Sequence, residues 1–123
     1  MPTVLGVILF GGVGAAARYG LERWLGREGT VFPWGTFTAN VTGSLLLGVL
    51  FAVTTERIEI SSWLRTSLAI GLLGGYTTFS TFSLQTHRLL EDGAYGLAVA
   101  YTLGSVLAGL AAAALGVAIV RLS

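Results

Sequence analysis

Charge is placed so sparingly along this chain that its positions fix what the chain can become. Marking each Arg, Asp, Glu and the single His leaves four uncharged stretches: Met1 to Ala17, Gly29 to Thr55, Thr66 to Thr86 and Gly93 to Val120. A charge in hydrocarbon costs several kcal/mol, so charges mark the edges of membrane spans. Each stretch is long enough, or nearly so, to cross about 30 Å of hydrocarbon as a helix. Over all 123 residues, 54% of side chains are hydrophobic and 11% charged, with a mean hydropathy of +0.79. A soluble domain carries roughly 25% charged residues, and its helices need a polar face. The sequence therefore predicts an all-α membrane protein, residues 1–123 forming a single domain of four transmembrane helices with both termini on one side.

Three charged clusters connect the spans. They are Arg18, Glu22, Arg23, Arg27 and Glu28; then Glu56, Arg57, Glu59 and Arg65; then His87, Arg88, Glu91 and Asp92. The first stretch ends in Ala15, Ala16 and Ala17, as a secretory signal would, but it lacks the basic leader such a signal needs. An uncleaved helix is expected instead, running past Arg18 toward Trp24, with that Arg snorkelling or buried against protein. Trp24, Trp34 and Trp63 fall near predicted span ends, where an aromatic belt sits.

Composition removes other classes. Seven Arg face six acids, with no Lys and no Cys. A net charge of +1 gives no footprint for nucleic acid, and nothing in the chain suggests a zinc site. The side holding the termini and the middle loop has Arg57, Arg65 and Arg121; the other has Arg18, Arg23, Arg27 and Arg88. Adding the terminal amine makes the counts equal, so topology is almost unbiased. Two readings follow: insertion in both orientations, or a weak bias read by a partner or by the insertion machinery.

Some soluble motifs appear out of context. Gly12, Gly14 and Ala17 fit a dinucleotide fingerprint, but no strand precedes them, and small-residue helix packing accounts for them. The Asn40-Val41-Thr42 sequon lies inside an apolar span, and His87 reads as a solvated interfacial residue. Small faces at Gly71 and Gly75, at Ala108, Ala112 and Gly116, and at Gly11 and Ala15 predict close helix contacts.

The polar residues inside the spans are all neutral, and each needs a partner at membrane depth. Thr36, Asn40, Gly43 and Ser44 share a face of the second helix, and Tyr101, Ser105 and Gly109 share one on the fourth. In the third span a glycine pair stands beside a run of hydroxyls and aromatics, Gly74-Gly75-Tyr76-Thr77-Thr78-Phe79-Ser80-Thr81-Phe82-Ser83. A helix break near the middle of that span is expected. Unwound backbone is tolerated in a membrane when buried in protein or lining a cavity, and its carbonyls can coordinate Na⁺. Phe79 and Phe82 would offer electropositive ring edges to an anion.

The third-span motif resembles the signature of the Fluc (CrcB-like) fluoride channels. The similarity extends over the whole chain through its length, its four spans, the Gly35 to Ser44 segment and the Tyr101 and Ser105 pair. It implies passive, fluoride-selective efflux across a prokaryotic inner membrane, by an antiparallel dual-topology dimer with two pores. It further implies a structural Na⁺ at the dimer centre, held by the backbone carbonyls of Gly74 and Thr77 from each subunit. Asn40 would donate to the fluoride ion, Phe79 and Phe82 would face the pores, and Ser80, Thr81, Tyr101 and Ser105 would form a polar track. A homodimer is the expected assembly, a heterodimer with a sister chain the alternative. Gln85 departs from the family's pattern, in which an acid often follows the motif, and Gly109 stands where a further hydroxyl often lies. Neutral donors suit the task, since they can replace an anion's water without holding it too tightly to leave.

No nucleophile with a base, metal cluster or phosphate loop suggests an enzyme. Two other functions compete. A small proton-coupled multidrug exporter would need a carboxylate in the membrane, yet all six acids lie in loops or at span edges. A small membrane subunit docking through its glycine faces is the other alternative.

Overall fold

The computed structural model describes residues 2–26 and 29–123. Met1 with its terminal amine, and Arg27 and Glu28 of the first charged cluster, lie outside the described residues. Most of the rest is helical. Helix α1 spans Thr3–Leu25, α2 Trp34–Glu56, α3 Ser62–Thr66, α4 Gly74–Tyr76, α5 Ser80–Glu91 and α6 Tyr95–Leu122; a π-helical stretch, Ser67–Leu73, joins α3 to α4. Three helices, α1, α2 and α6, are long and apolar enough to cross a membrane. Arg18 and Glu22 are inside α1, as the expected continuation toward Trp24 requires.

The third segment starts four residues before its uncharged stretch. The Ser61 hydroxyl accepts from the Leu64 amide at 3.1 Å and caps α3, so the helix begins at Ser62 and carries Arg65 on an exposed face. The π-helical stretch then widens the backbone without a proline. Helix ends at Tyr76, Thr77 is extended at φ −94° and ψ 159°, and helix resumes at Ser80. The expected break lies there. Beyond it, α5 closes on a Schellman turn: Ala94 N–H donates to the Leu89 carbonyl at 2.8 Å and Gly93 N–H to that of Leu90 at 3.1 Å. Gly93 takes the left-handed φ of +75° that this turn requires.

Lipid tails give helices no hydrophobic reason to associate, so backbone approach must hold them together. Helix α2 packs along α6, and α1 packs along the π-helical stretch and α4. A Cβ at Gly75 would sit 2.6 Å from the Gly11 carbonyl oxygen, and one at Gly14 would collide with that of Leu72. Between α2 and α6 the same closeness occurs at Gly48 against Ala113 and at Gly116 against Leu45. On α1 the small face is made by Gly11 and Gly14; Ala15, expected to share it, is exposed. Apolar side chains such as Ile8, Val13, Leu107 and Leu110 point outward, the reverse of a soluble bundle.

Both termini meet the same end. Trp63 Nε1 donates to the Pro2 carbonyl at 3.2 Å, Arg57 donates to that of Val120 at 2.7 Å, and Arg121 pairs with Glu56 at 2.9 Å. Trp24 and Trp34 are largely exposed, while Trp63 is half-buried against Phe10.

Candidate functional site

Helix α2 presents its neutral polar face to the break. One turn of that helix places Asn40, Gly43 and Ser44 against Gly74, Thr77, Thr78 and Phe79, with Phe82 of α5 and Ser105 of α6 completing a cleft of about 470 Å³. Six of the nine residues singled out in the sequence line it: Asn40, Gly74, Thr77, Phe79, Phe82 and Ser105. Ser80, Thr81 and Tyr101 are not part of that lining.

Asn40 is bonded twice to one residue, through the two peptide groups that flank the Thr78 Cα. Its Nδ2 donates to the Thr78 carbonyl at 3.0 Å, and its Oδ1 accepts from the Thr78 amide at 2.8 Å. A carboxamide can give and take in this way without a change of protonation, and its second Nδ2 proton is not needed for either bond. Just along α2, the Thr42 hydroxyl donates to the Thr38 carbonyl and meets the Tyr76 hydroxyl at 2.7 Å. Gly43, next along α2, leaves room for the Thr77 methyl and the Tyr76 ring. The unwound backbone is thus clamped to α2 on both sides of Thr77.

The aromatic side of the cleft is a chain of rings. Phe79 and Phe82 lie 5.8 Å apart at 50°, and Phe82 meets Tyr101 at 5.0 Å. Phe79 is 79% exposed, whereas Tyr101 is wholly buried beside Phe32. The Tyr101 hydroxyl donates to Gln85 Oε1 at 2.7 Å, so the Gln85 amide is held as an acceptor. Gly109 is matched by a hydroxyl from another helix, since a Cβ there would stand 3.6 Å from Ser44 Oγ. Ser105 Oγ is buried with no hydrogen-bond partner among the described residues. Ser80 is exposed, its hydroxyl 3.4 Å from that of Thr78, and the Thr81 amide donates to Thr78 Oγ1 at 3.2 Å.

A charged cluster braces the far side of the break. Arg18 Nε donates to the Gly75 carbonyl at 3.4 Å and its guanidinium pairs with Glu22 at 3.3 Å. Glu22 also accepts from the Thr36 hydroxyl at 3.1 Å. The four-residue spacing of Arg18 and Glu22 was visible in the sequence, but their partners on α2 and α4 were not. Pairing lets both charges enter a helix interface that a lone charge would avoid.

Among the described residues, no group of three or more His, Cys, Asp or Glu could hold a metal ion, so a cation at the break would rest on neutral oxygens. The backbone fits that use. Carbonyls at the end of α4 form the negative end of a helix dipole and have lost helical donors to the break.

Residues 5–117 match the profile of the family described as CrcB-like protein, camphor resistance. The chain belongs to that family. Similar proteins carry the name fluoride-specific ion channel FluC. That of Phocaeicola vulgatus is 44% identical over 118 residues, 95% of this chain and 97% of its own. Those of Geobacter metallireducens and a Methylobacterium species are 45% and 46% identical, each over 98% of both chains. The relatives are named as channels, not as enzymes, and the CrcB-like chain described here is a membrane protein.

Proposed function

We propose that this chain is a fluoride-selective channel that lets fluoride leave the cell passively across the inner membrane. The observation that carries the reading is the cleft at the break, where an amide, hydroxyls and two aromatic rings converge without a charged side chain. Fluoride holds its water tightly, so a selective path must replace that shell with donors yet bind weakly enough for release. The spare Asn40 proton and the Ser105 hydroxyl are such donors. The Phe79 and Phe82 edges add electropositive surface without fixed charge.

In this reading the broken segment is the fourth crossing. Ser62–Tyr76 and Ser80–Glu91 together supply roughly 40 Å of helix at 1.5 Å per residue, enough for the hydrocarbon and its interfaces. The cleft of one chain is open, and an antiparallel copy would close it, giving a dual-topology dimer with two pores. The near-equal Arg count supports that arrangement. The carbonyls of Gly74 and Thr77 would hold Na⁺ at the dimer centre, where the ion would supply a fixed positive charge and a brace between subunits. Proton-coupled export finds less support, because the Glu22 carboxylate is already taken by Arg18 and Thr36.

The test is efflux from liposomes containing the purified chain alone, read with a fluoride electrode and repeated with chloride under the same gradient. Rapid fluoride release with little chloride is expected. Release of neither ion from folded protein would overturn a self-sufficient channel and favour a missing partner chain.

A further inference from the structure

An α-helix running through the break would send each amide to the carbonyl four residues back. The Thr77 amide still does so, reaching Leu73 at 3.0 Å. The pattern then stops. The Thr78 amide, due at Gly74, donates instead to Asn40 Oδ1 at 2.8 Å. The Thr81 amide, due at Thr77, donates to Thr78 Oγ1 at 3.2 Å. Two side chains have therefore withdrawn the helical donors from two carbonyls, those of Gly74 and Thr77. An amide and a cation compete for the same carbonyl lone pairs, and neither carbonyl could serve a cation well while its own helix bonded it.

We propose that Asn40 and Thr78 are positioning residues for the cation: by capturing the Thr78 and Thr81 amides they create its carbonyl pair, without touching the ion. The proposal rests on the reading that Na⁺ binds Gly74 and Thr77. It also gives Asn40 two tasks, since the residue that faces the anion cleft sets the backbone of the cation site. Asn40 Nδ2 reinforces the second task by holding the carbonyl of the next peptide group, that of Thr78, at 3.0 Å, so that both peptides flanking the Thr78 Cα are fixed out of helical register.

The experiment follows thermal unfolding of the purified full chain while Na⁺ replaces N-methylglucamine at constant ionic strength. A ligand of the folded state raises the midpoint with its concentration, so the titration yields a half-saturating Na⁺ level without any flux measurement. Thr78→Val removes the acceptor at nearly constant shape, and Thr78→Ser restores it. The valine variant is expected to raise the half-saturating Na⁺ by about tenfold, the scale of one net hydrogen bond, and the serine variant to match the parent. Asn40→Leu, which loses both bonds to Thr78, should shift it at least as far. If Thr78→Val does not fold, Thr78→Ala reads the same bond. Titrations of the Thr78 and Asn40 variants that coincide with the parent would overturn the proposal while leaving Na⁺ binding intact. No Na⁺-specific stabilisation of the parent would instead remove the reading beneath it, and the proposal with it.

Discussion

Asn40 concentrates three properties in one side chain: a position in a membrane-spanning helix, two bonds to the Thr78 backbone and a place in the lining of the cleft. Asn40→Asp keeps the acceptor for the Thr78 amide but puts a negative charge on the anion's path. A like charge 4 Å away costs about 4 kcal/mol at an effective dielectric of 20, so fluoride efflux should fall by about three orders of magnitude. Efflux within a factor of a few of the parent would take Asn40 off the path. Phe82→Ile removes the ring that touches both Phe79 and Tyr101. Efflux should drop by about tenfold, the upper end of what an aromatic contact contributes, while size-exclusion elution stays unchanged. Asn40 was legible in the sequence because it is an amide amid apolar residues. Thr78 was not, as one hydroxyl in a run of several, because its role depends on where the backbone leaves the helix. Gln85 was legible as a departure from pattern, yet its bond to Tyr101 needed the packing of α5 on α6 to be known.

The three long helices could be read directly from the uncharged stretches, and the glycine pair announced the break. The start of α3 could not be read from charge, since Arg65 looks like loop until Ser61 is seen capping a helix that includes it. The π-helical stretch leaves no composition signal at all, because Ser67–Leu73 contains neither proline nor a polar run. What glycine does was clear in kind but not in place: Gly12 and Gly14 look alike in sequence. A Cβ at Gly12 meets nothing within 4 Å, whereas at Gly14 it would strike the Leu72 carbonyl and crowd the Tyr76 amide. Gly14→Ala should therefore force α1 away from α4 and cost about 1–3 kcal/mol, as overpacked sites do. Gly12→Ala should be neutral or stabilise by up to about 1 kcal/mol through helix propensity. Thermal unfolding in detergent separates the two, and equal midpoints would show that the α1 contact does not depend on backbone approach.

At the scale of the whole molecule, the Arg residues that normally orient a membrane protein are balanced between the two sides, which leaves little bias for the insertion machinery to read. Both termini reach the same end, so a single reporter there states the orientation of the entire chain. The sequence has no cysteine, and Ser123 is exposed at the close of α6, so Ser123→Cys introduces one clean label beyond the last span. If the chain inserts both ways, a membrane-impermeant thiol reagent added to intact cells should modify part of the population, and lysis should expose a comparable remainder. Adding two Lys after Ser123 should then move the labelled end toward the cytoplasmic side, because orientation follows the bias in Lys and Arg near span ends. Fluoride efflux should fall with it, since an antiparallel pair needs both orientations. Labelling from one side only, with efflux unimpaired by the added Lys, would exclude the antiparallel dimer.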